Sequence, residues 1–300
     1  MSDLEFDAKS IGALITKGSK ILTDAGIENA KAEARVLMSE YTHKDMAELY
    51  SKLKDRLDDF TAMRYMKSIK KRATHYPFQY ILGYTYFMDN IFLCKENVLI
   101  PRYDTENLVM HALELSPGKG IKVLDMCTGS GCIGISYKLI REKEGYHDEV
   151  ILTDISDAAL SLAKENSENL GADVKILKSD VFEVFEKEDS DEKIVSENDK
   201  FDLIISNPPY IRTKDINNLI RDVRDHEPRL ALDGASDGLK FYRMIIGNAR
   251  RFLKEDGRIA FEIGCEQYMD VADMLKNEGF KHIKKLRDMS GLDRVVSGVL

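Results

Sequence analysis

The stretch FDLIISNPPYI, Phe201 to Ile211, runs a strand-like apolar segment straight into Asn207, Pro208, Pro209 and Tyr210. Prolines end strand pairing and fix φ, so the carbonyls before and within such a turn point rigidly into the cleft the strand faces. Asn207 adds a side-chain carbonyl acceptor and Tyr210 a flat ring, so two acceptors can grip an NH2 group while the ring stacks on its π system. An amide or aromatic NH2 is a weak nucleophile because its lone pair is delocalised. Holding both hydrogens turns that lone pair toward a methyl donor, and in-line placement at about 3 to 3.5 Å supplies much of the catalysis. Preset acceptors also stabilise the positive charge that grows on nitrogen. No side-chain base is required. The motif alone does not separate a glutamine amide from the exocyclic amine of adenine or cytosine.

A donor pocket is legible upstream. VLDMCTGSGCIGI, Val123 to Ile135, is a strand entering a small-residue loop that opens a helix, and such a loop lets a ligand lie against backbone amides. Thr128, Gly129, Ser130 and Gly131 are its permissive residues; the stricter dinucleotide spacing is absent. The segment ILTDIS places Asp154 at the end of the next strand, 29 residues after Asp125, where a carboxylate can accept both ribose hydroxyls. Asp180 ends VKILKSD, where it or the following backbone can hold an adenine amino group. Any one of these acids alone would more often be a helix cap; three at successive strand ends define a nucleoside pocket. The loop has no Lys for phosphates, which removes the P-loop reading. S-adenosylmethionine is therefore the natural candidate, with Asp125 and the loop near its amino acid end.

These residues need a sheet to hold them. From Ile121 onward apolar runs alternate with helical segments, a βαβ rhythm that implies a mostly parallel sheet with helices on both faces and two C-terminal apolar segments completing it. Glu186 to Lys200 is a polar insertion. Ahead of the sheet, apolar residues recur at helical spacing: Ile11, Leu14, Ile15, Ile21 and Leu22, then Ala32, Val36 and Tyr41, then Leu57, Phe60, Met63 and Ile69. Residues 80 to 100 suggest a β-hairpin, with Gly83 and Asp89-Asn90 as turn signals.

Composition limits the alternatives. Apolar residues at 43% and charged ones at 32% describe a globular chain rather than a disordered or membrane one. No apolar run approaches a membrane span, and MSDLEFDAKS lacks the pattern of a signal peptide, so a cytoplasmic protein is expected. Four cysteines without a CxxC pair and six scattered histidines suggest neither disulfides nor a metal site. The net charge of -8 argues against wrapping nucleic acid. Residues 1 to 75 nevertheless hold 14 Lys and Arg against 12 Asp and Glu, and Arg64, Lys67, Lys70, Lys71 and Arg72 form either a partner-facing patch or a solvated helix face.

Taken together, QYILGYTYF, VLIPRYDTENLV, VLDMCTGSGCIGI, the NPPY strand, HEPRLALDGASDGL and DMSGLDRVVSGVL resemble the protein-(glutamine N(5)) methyltransferases that modify peptide-chain release factors. NPPY is shared with nucleic-acid enzymes, whereas IPRxDTE upstream and SGLDRVV downstream are far more specific. The resemblance implies an α/β protein: a helical substrate-recognition domain in residues 1–76, a β-hairpin linker in 77–102, and a Rossmann-like S-adenosylmethionine-dependent methyltransferase domain in 103–300. It implies methyl transfer from S-adenosyl-L-methionine, leaving S-adenosyl-L-homocysteine, to the side-chain amide nitrogen of the Gln in the Gly-Gly-Gln loop of class I peptide-chain release factors. By position, cofactor contacts fall on Cys127, Thr128, Gly129, Ser130, Gly131, Asp154, Asp180, Val181 and Asn207, and the glutamine-binding turn on Asn207, Pro208, Pro209 and Tyr210. Glu227, with Pro228 and Arg229, is expected to shape the mouth that receives the loop. Arg102, near Asp104 and Glu106, either orients that loop or forms a structural salt bridge. The sequence departs from the family at Val181, where an aromatic can flank adenine, at Cys127 and Ala235, where glycine is commoner, and at Tyr103, usually proline. Two rival readings are a methyltransferase acting on nucleic-acid amines, with salt-sensitive binding, and a binding module that kept the fold without the chemistry.

Overall fold

The structure is a computed structural model and describes residues 9–300, so the first eight residues, on which the expectation of no leader partly rests, lie outside the described residues. The chain forms two units: the described residues up to Gly83 together with Ile220–His226, and Tyr84–Leu219 with Glu227–Leu300.

The first unit contains α1 (Ile11–Asp24), α2 (Ala30–Thr42), α3 (Met46–Ser51), α4 (Asp59–Arg72) and α5 (Phe78–Leu82). Ser10, Asp45 and Asp58 cap α1, α3 and α4 by accepting the N–H of Ala13, Glu48 and Thr61. A Cβ at Gly18 would stand 2.4 Å from the Tyr65 hydroxyl, so glycine sets the approach of α1 to α4. The inward phase of α4 differs from the expected one. Phe60 and Met63 are exposed, while Tyr65, Ile69 and Arg72 are buried. Polar tips decide the matter: the Tyr65 hydroxyl donates to the Ala34 carbonyl at 3.2 Å, and Arg72 pairs with Glu33 at 2.6 Å and Asp222 at 2.8 Å. On α2 the buried residues are Ala30, Ala34, Leu37 and Met38, with Ala32 exposed. The basic row thus loses Arg72 to the interior, leaving Arg64, Lys67, Lys70 and Lys71 exposed.

The second unit opens with a hairpin, β1 (Tyr84–Phe87) and β2 (Asn90–Leu93). Phe87 pairs with Asn90, so the turn residues are Met88 and Asp89, both at positive φ, rather than Asp89-Asn90. Then follow α6 (Glu106–Leu115), β3 (Lys122–Met126), α7 (Cys132–Lys143), β4 (Glu149–Asp154), α8 (Asp157–Leu170), β5 (Lys175–Lys178), α9 (Glu183–Glu186) and β6 (Phe201–Ser206). After α10 (Arg221–His226), which belongs to the first unit, come α11 (Lys240–Phe252), β7 (Leu253–Glu262), α12 (Tyr268–Asn277), β8 (Lys281–Arg287) and β9 (Asp293–Val299).

The seven-stranded sheet has the order β5-β4-β3-β6-β7-β9-β8. The five strands from β5 to β7 run parallel, and β9 and β8 are antiparallel additions. Apolar cores lie on both faces of the sheet, drawing on alternate residues such as Leu203 and Ile205 on one side and Ile204 on the other. Strand β8 is a charged, largely exposed edge rather than an apolar segment, a pattern that discourages further pairing. Strand order reverses between β3 and β6. In open α/β sheets ligands bind at this switch point, beyond the carboxyl ends of the strands. No helix among the described residues is long and apolar enough to cross a membrane.

Candidate active site

A cleft of ≈970 Å³, partly open to solvent, lies at that switch point. Its floor is the loop between β3 and α7. Asp125 sits wholly buried beneath the loop, where Oδ2 accepts the Thr128 hydroxyl at 2.6 Å and the Gly134 N–H at 2.9 Å. A Cβ at Gly134 would meet Leu152 at 2.2 Å, so glycine allows the helix to start against the strand. Burial pushes the Asp125 carboxyl up to about 7. The residue therefore shapes the loop from behind and does not line the cleft, a correction to its expected place at the cofactor.

Asp154, at the end of β4, does line the cleft. Its Oδ2 accepts the Gly129 N–H and its Oδ1 the Ser156 N–H, each at 2.9 Å. Burial raises its pKa against these two donors, so it is a desolvated carboxylate with a lone-pair direction left on each oxygen. Thr153 Oγ1 is buried in the wall with no hydrogen-bond partner among the described residues. The lone-pair directions left on Asp154 fit the two hydroxyls of a ribose.

Positive φ recurs around the loop ends: Cys127 at 61°, Val181 at 53° and Ala235 at 71°. All three positions break the expected pattern in residue type yet keep a left-handed backbone, which costs a non-glycine residue of order 1 kcal/mol or more. Val181 is held there by Ser179, whose hydroxyl donates to the Val181 carbonyl at 2.9 Å and accepts the Val184 N–H at 3.1 Å. Among the described residues the wall's single aromatic side chain is Phe241 from α11, which the sequence did not single out.

The NPPY turn follows β6 directly. Asn207 lines the cleft, and its Nδ2 donates to Thr105 Oγ1 at 3.4 Å. Its Oδ1 and the Pro208 carbonyl meet no protein donor among the described residues. The Tyr210 carbonyl, by contrast, accepts Gln267 Nε2 at 3.0 Å, and the Tyr210 hydroxyl donates to Glu262 Oε1 at 3.2 Å. Cβ atoms at Gly234 and Gly238 would stand 2.8 Å from the Pro209 carbonyl and 2.4 Å from the Tyr210 carbonyl, so two glycine backbones brace the turn.

The structure gathers Arg102, Cys127, Thr128, Gly129, Ser130, Asp154, Asp180, Val181, Asn207 and Pro209 on one cleft wall. Five expected residues stand off it. Asp125 lies behind the loop; Gly131 is the left-handed N-cap of α7, packed on Ile135 and Ala163. Pro208 is buried in the turn and off the lining, although its carbonyl, next to Asn207, stays without a protein donor among the described residues. Tyr210 is pinned to Glu262, so its ring is not offered to the cleft as expected. Glu227 is buried and ion-paired with Arg102. That pair, rather than one with Asp104 or Glu106, fixes Arg102. Thr105, Glu262 and Gln267 were missed, although a carboxylate at the end of an apolar strand is the same signal that singles out Asp154.

Two domain families match the chain: PrmC N-terminal domain over residues 13–83 and Methyltransferase domain over residues 117–295. The chain is similar to the release factor glutamine methyltransferase of Clostridium botulinum, at 38% identity over 94% of this chain and 96% of that protein. Its likeness to the Clostridium acetobutylicum protein of the same name is 36% over 95% and 96%. For Geobacter sulfurreducens the figures are 37% over 92% of each.

Proposed function

The chain belongs to the release factor glutamine methyltransferase family, and from that premise we propose that it methylates the side-chain amide nitrogen of the Gln in the Gly-Gly-Gln loop of class I release factors, using S-adenosyl-L-methionine. One observation carries the reading. Two acceptors without protein donors, Asn207 Oδ1 and the Pro208 carbonyl, stand at the end of β6 in the unit whose cleft holds Asp154.

S-adenosylmethionine supplies an electrophilic methyl group on a sulfonium. The backbone of Cys127 to Ser130 forms its floor, Asp154 accepts its ribose hydroxyls, and Asp180 with Val181 borders its adenine. Asn207 Oδ1 and the Pro208 carbonyl each take one N–H of the glutamine amide. Rotated out of conjugation, the amide lone pair is directed into the cleft, and both acceptors stabilise the positive charge that develops on nitrogen. The methylated amide then gives up one proton to solvent. Arg102, held by Glu227, borders the same wall and orients the incoming loop. Residues 1–76 serve substrate recognition, with 77–102 as the linker, and the work is done in the cytoplasm.

The test is transfer of labelled methyl to a purified release factor, to the same factor with Ala for the loop Gln, and to DNA and RNA. Label on the wild-type factor alone supports the reading. Label on nucleic acid, or equal label on the Ala variant, refutes it.

A further inference from the structure

We infer that Thr105 and Glu262 decide which end of the Asn207 amide faces the cleft, and so act as positioning residues for the methyl-accepting nitrogen. This rests on the role given above to Asn207. The two ends of an asparagine amide are nearly equal in size and opposite in hydrogen-bonding sense. Only the oxygen end can accept an N–H of the substrate. Something beside Asn207 must therefore break the tie.

Thr105 is that neighbour. It is buried in the turn before α6, and its Oγ1 lies 3.4 Å from Asn207 Nδ2. A hydroxyl has one hydrogen to give; once that is committed elsewhere, it can only accept from Asn207. The place where the hydrogen goes is Glu262, 2% exposed at the end of β7. Its Oε1 takes the Tyr210 hydroxyl, and its Oε2 is buried with no hydrogen-bond partner among the described residues, an acceptor left open to the Thr105 hydroxyl, which favours its charged form. In its charged form, which the Thr105 hydroxyl, Arg294 and Tyr210 favour against burial, the Glu262 carboxylate only accepts. The series therefore runs one way, from the Asn207 amide N–H to Thr105 oxygen and from the Thr105 hydroxyl to Glu262, and leaves Asn207 Oδ1 for the substrate.

Burial raises the Glu262 pKa; the Thr105 hydroxyl, Arg294 and Tyr210 favour its charged form, and Asp104 opposes it. The Tyr242 hydroxyl, donating to the Glu262 backbone carbonyl at 2.8 Å, fixes the strand end. Asn207 and Tyr210, the first and last residues of the turn, are thus both governed from one buried carboxylate.

The experiment compares wild type, Thr105→Val, Thr105→Ser, Glu262→Gln and the Thr105→Val/Glu262→Gln double variant. Methyl transfer to a release factor is measured alongside the calorimetric Kd for S-adenosylmethionine and the melting temperature. Thr105→Val lowers kcat/KM for the factor by ~10-fold or more, about the worth of one hydrogen bond, while cofactor Kd and melting temperature move little. Thr105→Ser recovers most of that loss. Glu262→Gln, whose amide can donate to Thr105 and reverse the series, loses at least as much, and the double variant is no worse than Glu262→Gln alone. The Thr105 pair stands by itself if Glu262→Gln does not fold. An unimpaired Thr105→Val, or a serine variant as weak as the valine one, overturns the inference while leaving the functional reading intact. Absence of transfer by wild type overturns both.

Discussion

Replacing Asp154 by Asn separates a ribose-binding carboxylate from one that merely ties the loop. The wild-type side chain holds one backbone N–H on each oxygen, Gly129 and Ser156 at 2.9 Å. Asparagine keeps one acceptor and turns an NH2 toward the other amide. One backbone N–H loses its partner, a loss of about 1–3 kcal/mol, partly offset because burial already disfavours the charge of Asp154. The melting temperature is thus expected to fall modestly. Cofactor affinity should suffer more clearly, because one acceptor and the formal charge are both removed from the hydroxyl-binding edge. Charge-assisted hydrogen bonds are worth about 1.5–3 kcal/mol, or roughly 10- to 150-fold in Kd. Calorimetric titration with S-adenosylmethionine reads the affinity, and thermal unfolding of the ligand-free protein reads the structural part. A lowered melting temperature with a Kd within about threefold of wild type would show that Asp154 only anchors the loop, and the ribose assignment would be lost.

Asn207→Ala is expected to lower methyl transfer by about 10²-fold, the scale of losing one preset transition-state hydrogen bond, with cofactor Kd within a few-fold; near-normal turnover would contradict its role. Asp125, with its carboxyl raised from 3.8 to about 7 by burial, holds its proton more tightly folded than unfolded. Its contribution to the stability of the ligand-free protein therefore declines as pH rises through that interval. Asp125→Asn removes the decline, so the melting-temperature difference, variant minus wild type, should grow from about pH 4 to pH 7; a flat difference refutes the assignment. Ala235 stands at φ 71°, so Ala235→Gly should keep or slightly raise the unfolding midpoint and Ala235→Val lower it, by about 1 kcal/mol or more, in denaturant titrations. The reverse order would remove the strain attributed to that turn.

The sheet was legible because its central strands are buried on both faces and read as unbroken apolar runs, as in Leu203-Ile204-Ile205. The loop, Asp154 and NPPY were legible because their positions follow from strand ends alone. Side-chain direction was not. Counting apolar residues along α4 turned Phe60 and Met63 inward, whereas hydrogen bonding carries Tyr65 and Arg72 there. Tyr210 looked like a stacking ring until Glu262, 52 residues away, was seen to hold its hydroxyl. Arg102 found Glu227 across 125 residues instead of the carboxylates two and four positions along. Each miss concerns a polar tip whose partner is distant in sequence, information that no local pattern contains.

The grouping of Ile220–His226 with the N-terminal helices bears on how the chain is born. Arg72 is buried between Glu33 and Asp222, and Asp222 also meets His75 Nδ1 at 3.1 Å. At a synthesis rate of roughly 5–20 residues per second, the 139 residues from Tyr84 through Asp222 take on the order of ten seconds to emerge. Over that interval the nascent helices carry a guanidinium with half its counter-ions. The bundle that starts first cannot finish first, and cleaving the chain at the boundary after Gly83 yields a fragment lacking one of its own interior charges rather than a detachable module.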